Sequence, residues 1–262
     1  MSGLAHSFDW SLLGAALCAG LLVISTHVPL GREVLQRGII FLDLTIAQVA
    51  ACGAVLVEAS GHEASGWALQ LASGVAALSA AALLAWSEKR WPRLQEALIG
   101  SLYVVAASVA ILMLAKNPHG AEHFTHLLAG QILWVSYAQL LPVACFYTGL
   151  LLVWAVWARH RRTWFYPIFA LTITVSVQLV GVYLVFATLI LPALATHRDA
   201  GWKGIGRAYG LGAAAYLLGL VLSVPTDLPS GPLIVCALAG LALLRAGYQA
   251  VFVAANRARA VR

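Results

Sequence analysis

The chain alternates long apolar runs with short polar breaks. Mostly apolar residues occupy 11–29, 38–58, 66–86, 97–115, 133–157, 164–179, 180–196, 207–224 and 231–251. An α-helix needs about 20 such residues to cross a bilayer, and most of these runs meet that length. The stretch from Trp164 to Thr196 is too long for one crossing and short for two. It predicts either two tight spans or one span with a half-helix, so the total is eight or nine. Ala72, Ser73, Ala76, Ala77, Ser79, Ala80 and Ala81 crowd the third run. Small residues let helices approach closely where lipid removes the hydrophobic drive between them. Pro142, Pro167 and Pro192 lie inside or at the start of runs, and Pro192 is expected to break its helix ahead of the next polar stretch. The pattern predicts an all-α polytopic bundle forming a single membrane domain over residues 1–262.

Composition agrees. Hydrophobic residues make up 61% of the chain and charged residues 10%, against about 25% charged in soluble domains. So few charges cannot cover a water-facing surface. No Lys or Arg precedes Arg32, so Leu12–Val28 lacks the basic flank of a signal peptide and is expected to be a retained span. The net charge of +6 does not point to nucleic acid, because the basic residues sit in short breaks between apolar runs. Arg32 and Arg37, Lys89, Arg90 and Arg93, Arg159, Arg161 and Arg162, Arg198, Lys203 and Arg207, and Arg257, Arg259 and Arg262 form the positive-inside pattern of cytoplasmic loops. Breaks 59–65, 116–127 and 225–230 hold one Lys among them and are expected to face outward. With nine spans this alternation puts the N-terminus outside; with eight it would be inside.

Polar groups at membrane depth are costly and are candidates for function. In the second run Thr45, Gln48 and Cys52 are spaced i, i+3, i+7 and share a helix face, while Asp43 lies about 140° from Gln48. They form either a polar stripe along a transport path or a set of interhelical hydrogen bonds with Asp43 paired near the interface. A second set lies in the outer breaks: Glu58, His62 and Glu63, then His119, Glu122, His123 and His126. Imidazole and carboxylate suit zinc and similar divalent ions, although both residue types are ordinary in an outer loop. His27, near the inner end of the first run, is expected to serve packing. Cys18, Cys52, Cys145 and Cys236 lie apart with no CxxC and read as small hydrophobes. There is no GxxxxGK[ST], GxSxG or HExxH. The chain therefore carries no phosphate-binding loop of its own and shows no catalytic centre.

Three segments carry a resemblance. Gln178–Ala193, reading QLVGVYLVFATLILPA, the loop and run Asp227–Val235, reading DLPSGPLIV, and Gly130–Ser136, reading GQILWVS, resemble the metal-ion ABC transporter permeases of zinc, manganese and iron uptake. The likeness extends from about Gly14 to Gly247. It implies a non-enzymatic permease of a bacterial inner membrane, paired with a second copy of itself. It also implies cytoplasmic ABC ATPase subunits that bind ATP, an extracytoplasmic metal-binding protein, and a transported divalent metal in place of any resident cofactor. The outer His/Glu set makes zinc the first choice of cargo. The resemblance further implies an ATPase-coupling helix over Thr196–Tyr209, including Thr196, Arg198, Asp199, Trp202, Lys203 and Arg207. Family members carry an acid and a His four residues later in the second span; aligned on Gly53, those positions here are Leu44 and Gln48, and Asp43 is one residue out of register. Neutral Gln is a weaker ligand than imidazole. Ions pass here with fewer tight ligands, or metal is held elsewhere, or the substrate is not a bare ion. A permease for a metal chelate or another small solute, and an intramembrane enzyme, stand as alternatives.

Overall fold

The computed structural model describes residues 10–59, 66–114, 132–158 and 164–260. Among them are nine α-helices and no strand. They are α1 (Trp10–Arg37), α2 (Leu42–Ala59), α3 (Gly66–Arg90), α4 (Gln95–Leu114), α5 (Tyr137–Val153), α6 (Phe165–Val180), α7 (Val182–Ala195), α8 (Gly201–Thr226) and α9 (Ser230–Ala260). A π-helical stretch, Trp154–Ala158, follows α5, and short 3-10 turns stand at Pro92–Leu94 and Ile132–Trp134. Six helices are long and apolar enough to cross a membrane, while α2, α6 and α7 are shorter apolar helices. The protein is a multi-pass membrane protein.

Side-chain contacts set the direction of each helix. The Arg37 guanidinium stacks 4.2 Å over the Phe165 ring, so the end of α1 meets the start of α6. Gln95 at the start of α4 donates to Leu84 O in α3 at 2.9 Å and to Tyr166 Oη in α6 at 3.2 Å, and accepts from Ser87 Oγ at 2.9 Å. Thr45 bonds to Ile99 O and Cys52 to Ala106 O, a constant offset that makes α2 and α4 parallel. Tyr209 bonds to Ser25 O, and further along Gly212 meets Ile24 and Gly20 meets Tyr216, so α1 and α8 run antiparallel. The basic residues at the end of α1, the α3–α4 turn and the α7–α8 link thus share one end of the bundle. The positive-inside pattern makes that end cytoplasmic.

The stretch 164–196 resolves into two helices that enter and leave at the basic end. α6 begins beside Arg37 and Gln95, and the end of α7 is held by Arg245, whose Nε donates to Ala195 O at 3.0 Å. The 16 and 14 residues of α6 and α7 rise about 24 and 21 Å at 1.5 Å per residue, short of the ~30 Å hydrocarbon core. They form a hairpin whose apex is Gly181, at φ 85°. Because the hairpin returns to the side it entered, α1 starts at the end opposite the arginines and α9 finishes at the basic end, as nine helices require. A positive φ is natural for glycine and costs an L-residue about 1–2 kcal/mol. Gly181→Ala is therefore expected to lower the apparent melting temperature of the purified protein by a few degrees; an unchanged melt would show that the apex tolerates a side chain.

The prolines correct one expectation. Pro192 does not break its helix: α7 continues through it to Ala195. Pro29, inside α1, has no N–H for Ser25 O. That carbonyl instead accepts the Tyr209 hydroxyl at 2.9 Å, so a lost intrahelical bond becomes an α1–α8 link.

Candidate functional site

Two polar regions lie inside the bundle. In the first, α2 lies among α3, α4 and α6. Thr45 is fully buried and donates to Ile99 O at 3.0 Å and Phe41 O at 3.1 Å, and Cys52 Sγ donates to Ala106 O at 3.1 Å. Both side chains therefore face α4 and tie it to α2. Gln48, between them and 5% exposed, leaves its Nε2 without a partner among the described residues. Asp43 is completely buried in the first turn of α2, and neither carboxylate oxygen completes a hydrogen bond there. His27 in α1 is also fully buried. Its Nδ1 lies 2.9 Å from Val23 O and 3.0 Å from Thr26 Oγ1, and its Nε2 is unpartnered. Buried polar atoms without partners cost about 1–3 kcal/mol each, so Asp43, Gln48 and His27 are costs that packing alone does not explain.

The second region is the α7–α8 link at the basic end. Asp199 is its centre. Its carboxylate accepts from Arg207 Nη1 at 2.9 Å and pairs with Arg245 Nη2, while its backbone carbonyl accepts from Arg32 Nη2 at 2.7 Å. Helices α1, α8 and α9 thus converge on one loop residue. Gly204 lies so close to Asp199 that a Cβ there would stand 2.8 Å from Arg32 Nη1. Thr196 is buried and donates to Pro192 O at 2.8 Å. Arg198, Trp202 and Lys203 point outward, with Trp202 84% exposed. The charged stretch is not a free-standing helix: residues 196–200 form a tight link, and from Gly201 the chain is already α8.

The expected site residues therefore divide. Thr45, Gln48 and Cys52 share a face as their spacing predicts. Thr196 and Asp199 turn inward, whereas Arg198, Trp202 and Lys203 form an exposed platform. Glu58 closes α2, and its side chain lies outside the described residues, as do His62, Glu63, His119, Glu122, His123 and His126. Among the described residues no three His, Cys, Asp or Glu side chains gather as a metal site. Arg245 was missed by the sequence reading, although a lone arginine within the apolar run 231–251 is itself a signal of a functional or paired charge. Gln70, Gln139, Thr174 and Gln178 were missed as well. They line a cavity of about 680 Å³ between α3, α5 and α6. Isolated neutral residues on three helices carry no pattern along the chain.

Comparison with known proteins places the chain in a family. The chain matches the ABC 3 transport family over residues 9–166 and 153–249. No curated protein sequence matches it. Its fold is similar to a solved structure of PsaBC from Streptococcus pneumoniae in complex with Fab, with TM-score 0.71 and 21% identity over 90% of this chain and 91% of that one. It is also similar to a structure described as an inward-facing conformation of a metal-chelate type ABC transporter, with TM-score 0.65 and 18% identity over 91% and 85% of the two chains. With the family matched over most of its length, the chain belongs to the ABC 3 transport family, the permeases its sequence resembles.

Proposed function

We propose that the chain is the membrane-spanning subunit of an ATP-driven importer of divalent metal, working in a bacterial plasma membrane as a pair of copies. ATP is hydrolysed on separate cytoplasmic subunits, and an extracytoplasmic protein delivers the cargo by docking at the end opposite the arginines. Zinc is the first candidate, from the His and Glu residues of the outer segments. The observation that carries the proposal is the α7–α8 link. It presents Arg198, Trp202 and Lys203 outward at the basic end and is tied from behind to α1, α8 and α9 through Asp199. An ATPase pressing on that platform would move three helices together, the coupling that alternating access requires.

Copurification tests the partnership. Tagged chain taken from its native membrane should bring down an ABC ATPase subunit, and the amount should fall on Trp202→Ala. Absence of any ATPase would defeat the proposal. For the path we assign Asp43 and Gln48, the α2 groups whose buried atoms lack partners, with Thr45 and Cys52 holding α2 against α4. Gln48→Leu and Asp43→Ala are expected to leave the ATPase bound while cutting ATP-dependent zinc uptake into vesicles by roughly tenfold, the effect of about 1.4 kcal/mol. Uptake equal to the parent in both variants would remove α2 from the path.

A further inference from the structure

Several cations of the basic end are engaged within the chain: Arg32, Arg207 and Arg245 by Asp199, and Arg37 by Glu33. Those of the α3–α4 turn are not. Lys89, Arg90 and Arg93 are exposed, and none of them pairs with an acid among the described residues. The acids that flank the turn look inward: Glu88 meets the Tyr166 hydroxyl, and Glu96 accepts the Phe41 N–H. The turn is also held firmly from behind. Ser87 and Gln95 are buried and bonded to each other, and Gln95 reaches on to Leu84 O and Tyr166. The Trp91 N–H donates to Ser87 O at 2.7 Å, and the Leu94 N–H closes the 3-10 turn on Trp91 O at 3.0 Å. Trp91 meets the Trp86 ring edge to face, with centroids 5.3 Å apart, and both rings remain about half exposed. Three unpaired charges and two indoles are thus presented on a fixed scaffold.

We propose that the α3–α4 turn binds the headgroup of an anionic phospholipid of the cytoplasmic leaflet, with Lys89, Arg90 and Arg93 around the phosphate and Trp86 and Trp91 packed beside the glycerol. The order of residues along α3 carries this choice. At 100° per residue Leu71, Val75, Leu78, Trp86 and Lys89 share one face, and all five are exposed. Read toward the basic end, that face passes from aliphatic to indole to ammonium, which is the order of acyl chain, interface and headgroup in a leaflet. Tryptophan gathers at the headgroup level, so the pair sets the depth at which the cations stand. The place of the turn in the bundle points the same way. α4 packs on α2 and α3, and α3 on α2, α4 and α6, whereas the coupling link is held by α1, α8 and α9. The turn therefore lies on a flank away from the link, at the foot of a wall where Val104, Val105 and Leu112 are also exposed. A cation near an anionic leaflet strengthens binding about fivefold, and three on one rigid turn act on the same phosphate.

The test uses the purified full chain in micelles doped with phosphatidylglycerol or with phosphatidylcholine, and counts retained lipid by native mass spectrometry. The parent is expected to prefer phosphatidylglycerol by roughly tenfold or more. Lys89→Gln, Arg90→Gln and Arg93→Gln together should abolish that preference and leave phosphatidylcholine retention unchanged. Arg90→Lys with Arg93→Lys keeps the charge and should keep the preference, which separates the electrostatic role from damage to the turn. Arg198→Gln with Lys203→Gln removes two charges from the coupling platform at the same end and should leave the preference intact. Equal retention of the two lipids by the parent overturns the proposal. So does a triple variant with the parent's preference, or an equal loss from the platform variant, which would make the effect one of net charge. Copurification from the native membrane covers the other occupant. A triple variant that loses the ATPase subunit and still prefers phosphatidylglycerol would assign the turn to the ATPase and overturn the lipid site.

Discussion

Asp199→Asn is expected to be among the most damaging single changes that keep the fold's shape. The substitution preserves volume and removes the charge on which Arg207 and Arg245 converge. Arg245 would keep its bond to Ala195 O and a neutral amide oxygen at residue 199, but a cation 25% exposed would lose its counter-charge at a residue 14% exposed. Charge-assisted hydrogen bonds of this kind contribute about 1.5–3 kcal/mol. The Arg207 partner adds less, because it is half in solvent. A net loss of about 2 kcal/mol corresponds to roughly 5 °C in melting temperature for a chain of this size. The transport loss should be larger than the stability loss, because the link no longer pulls α9 with α8. The variants should rank Asp199→Asn, then Arg245→Gln, then Arg207→Gln, in both melting temperature and ATP-dependent uptake. Asp199→Asn and Arg245→Gln should be non-additive in combination, since each breaks the same pair. Equal effects of Arg245→Gln and Arg207→Gln would show that the carboxylate does not favour the α9 partner.

Gly31→Ala is expected to be worse still for folding. At the α1–α7 crossing, an alanine Cβ would overlap the Leu189 carbonyl oxygen and lie 2.9 Å from its carbon. These are backbone atoms within a helix, so neither can swing away as a side-chain end would. Gly219→Ala meets the same obstacle at the α8–α9 crossing, with Ile234 Cα at 2.6 Å. Overpacking costs about 1–3 kcal/mol even where side chains can adjust, so both variants should lose most of the monodisperse fraction in size-exclusion chromatography. Gly210→Ala is the control, because a Cβ there meets nothing within 4 Å. It should be neutral or slightly stabilising, since helical glycine costs about 1 kcal/mol relative to alanine. Similar behaviour of Gly31→Ala and Gly210→Ala would show that α1 and α7 do not cross at Gly31.

These two sites also show how far the sequence reaches. The helices and the grouping of Lys and Arg at one end were legible because hydropathy and loop charge are properties of each segment alone, but α1 runs on to Arg37 and α9 to Ala260, so Arg32 and Arg37, expected in a loop, lie in helix. The α7–α8 link was visible as a charged break after Pro192. Its division into an inward Asp199 and an outward Trp202 was not, because the partners, Arg32 and Arg245, lie more than forty residues away along the chain. Thr45, Gln48 and Cys52 were correctly placed on one face by their period. Which of them bonds to a neighbouring helix depends on α4 running parallel at a constant offset, and no local pattern encodes that. Gln178 gave no signal at all: one amide in an apolar run reads the same whether it faces a helix, a cavity or lipid.

The sequence by itself determined an all-helical membrane chain with a basic end, because transfer free energy and charge act residue by residue, and its motifs carried the resemblance to the permeases. Only the tertiary structure decided that residues 164–196 form a hairpin returning to the basic end. It alone brought three arginines to Asp199 and set Gln70, Gln139 and Gln178 along one half-open groove between α3, α5 and α6. Each of those depends on which helices lie side by side. In lipid that choice is made by close contacts such as Gly31 against Leu189 and Gly219 against Ile234, because hydrophobicity no longer discriminates between neighbours.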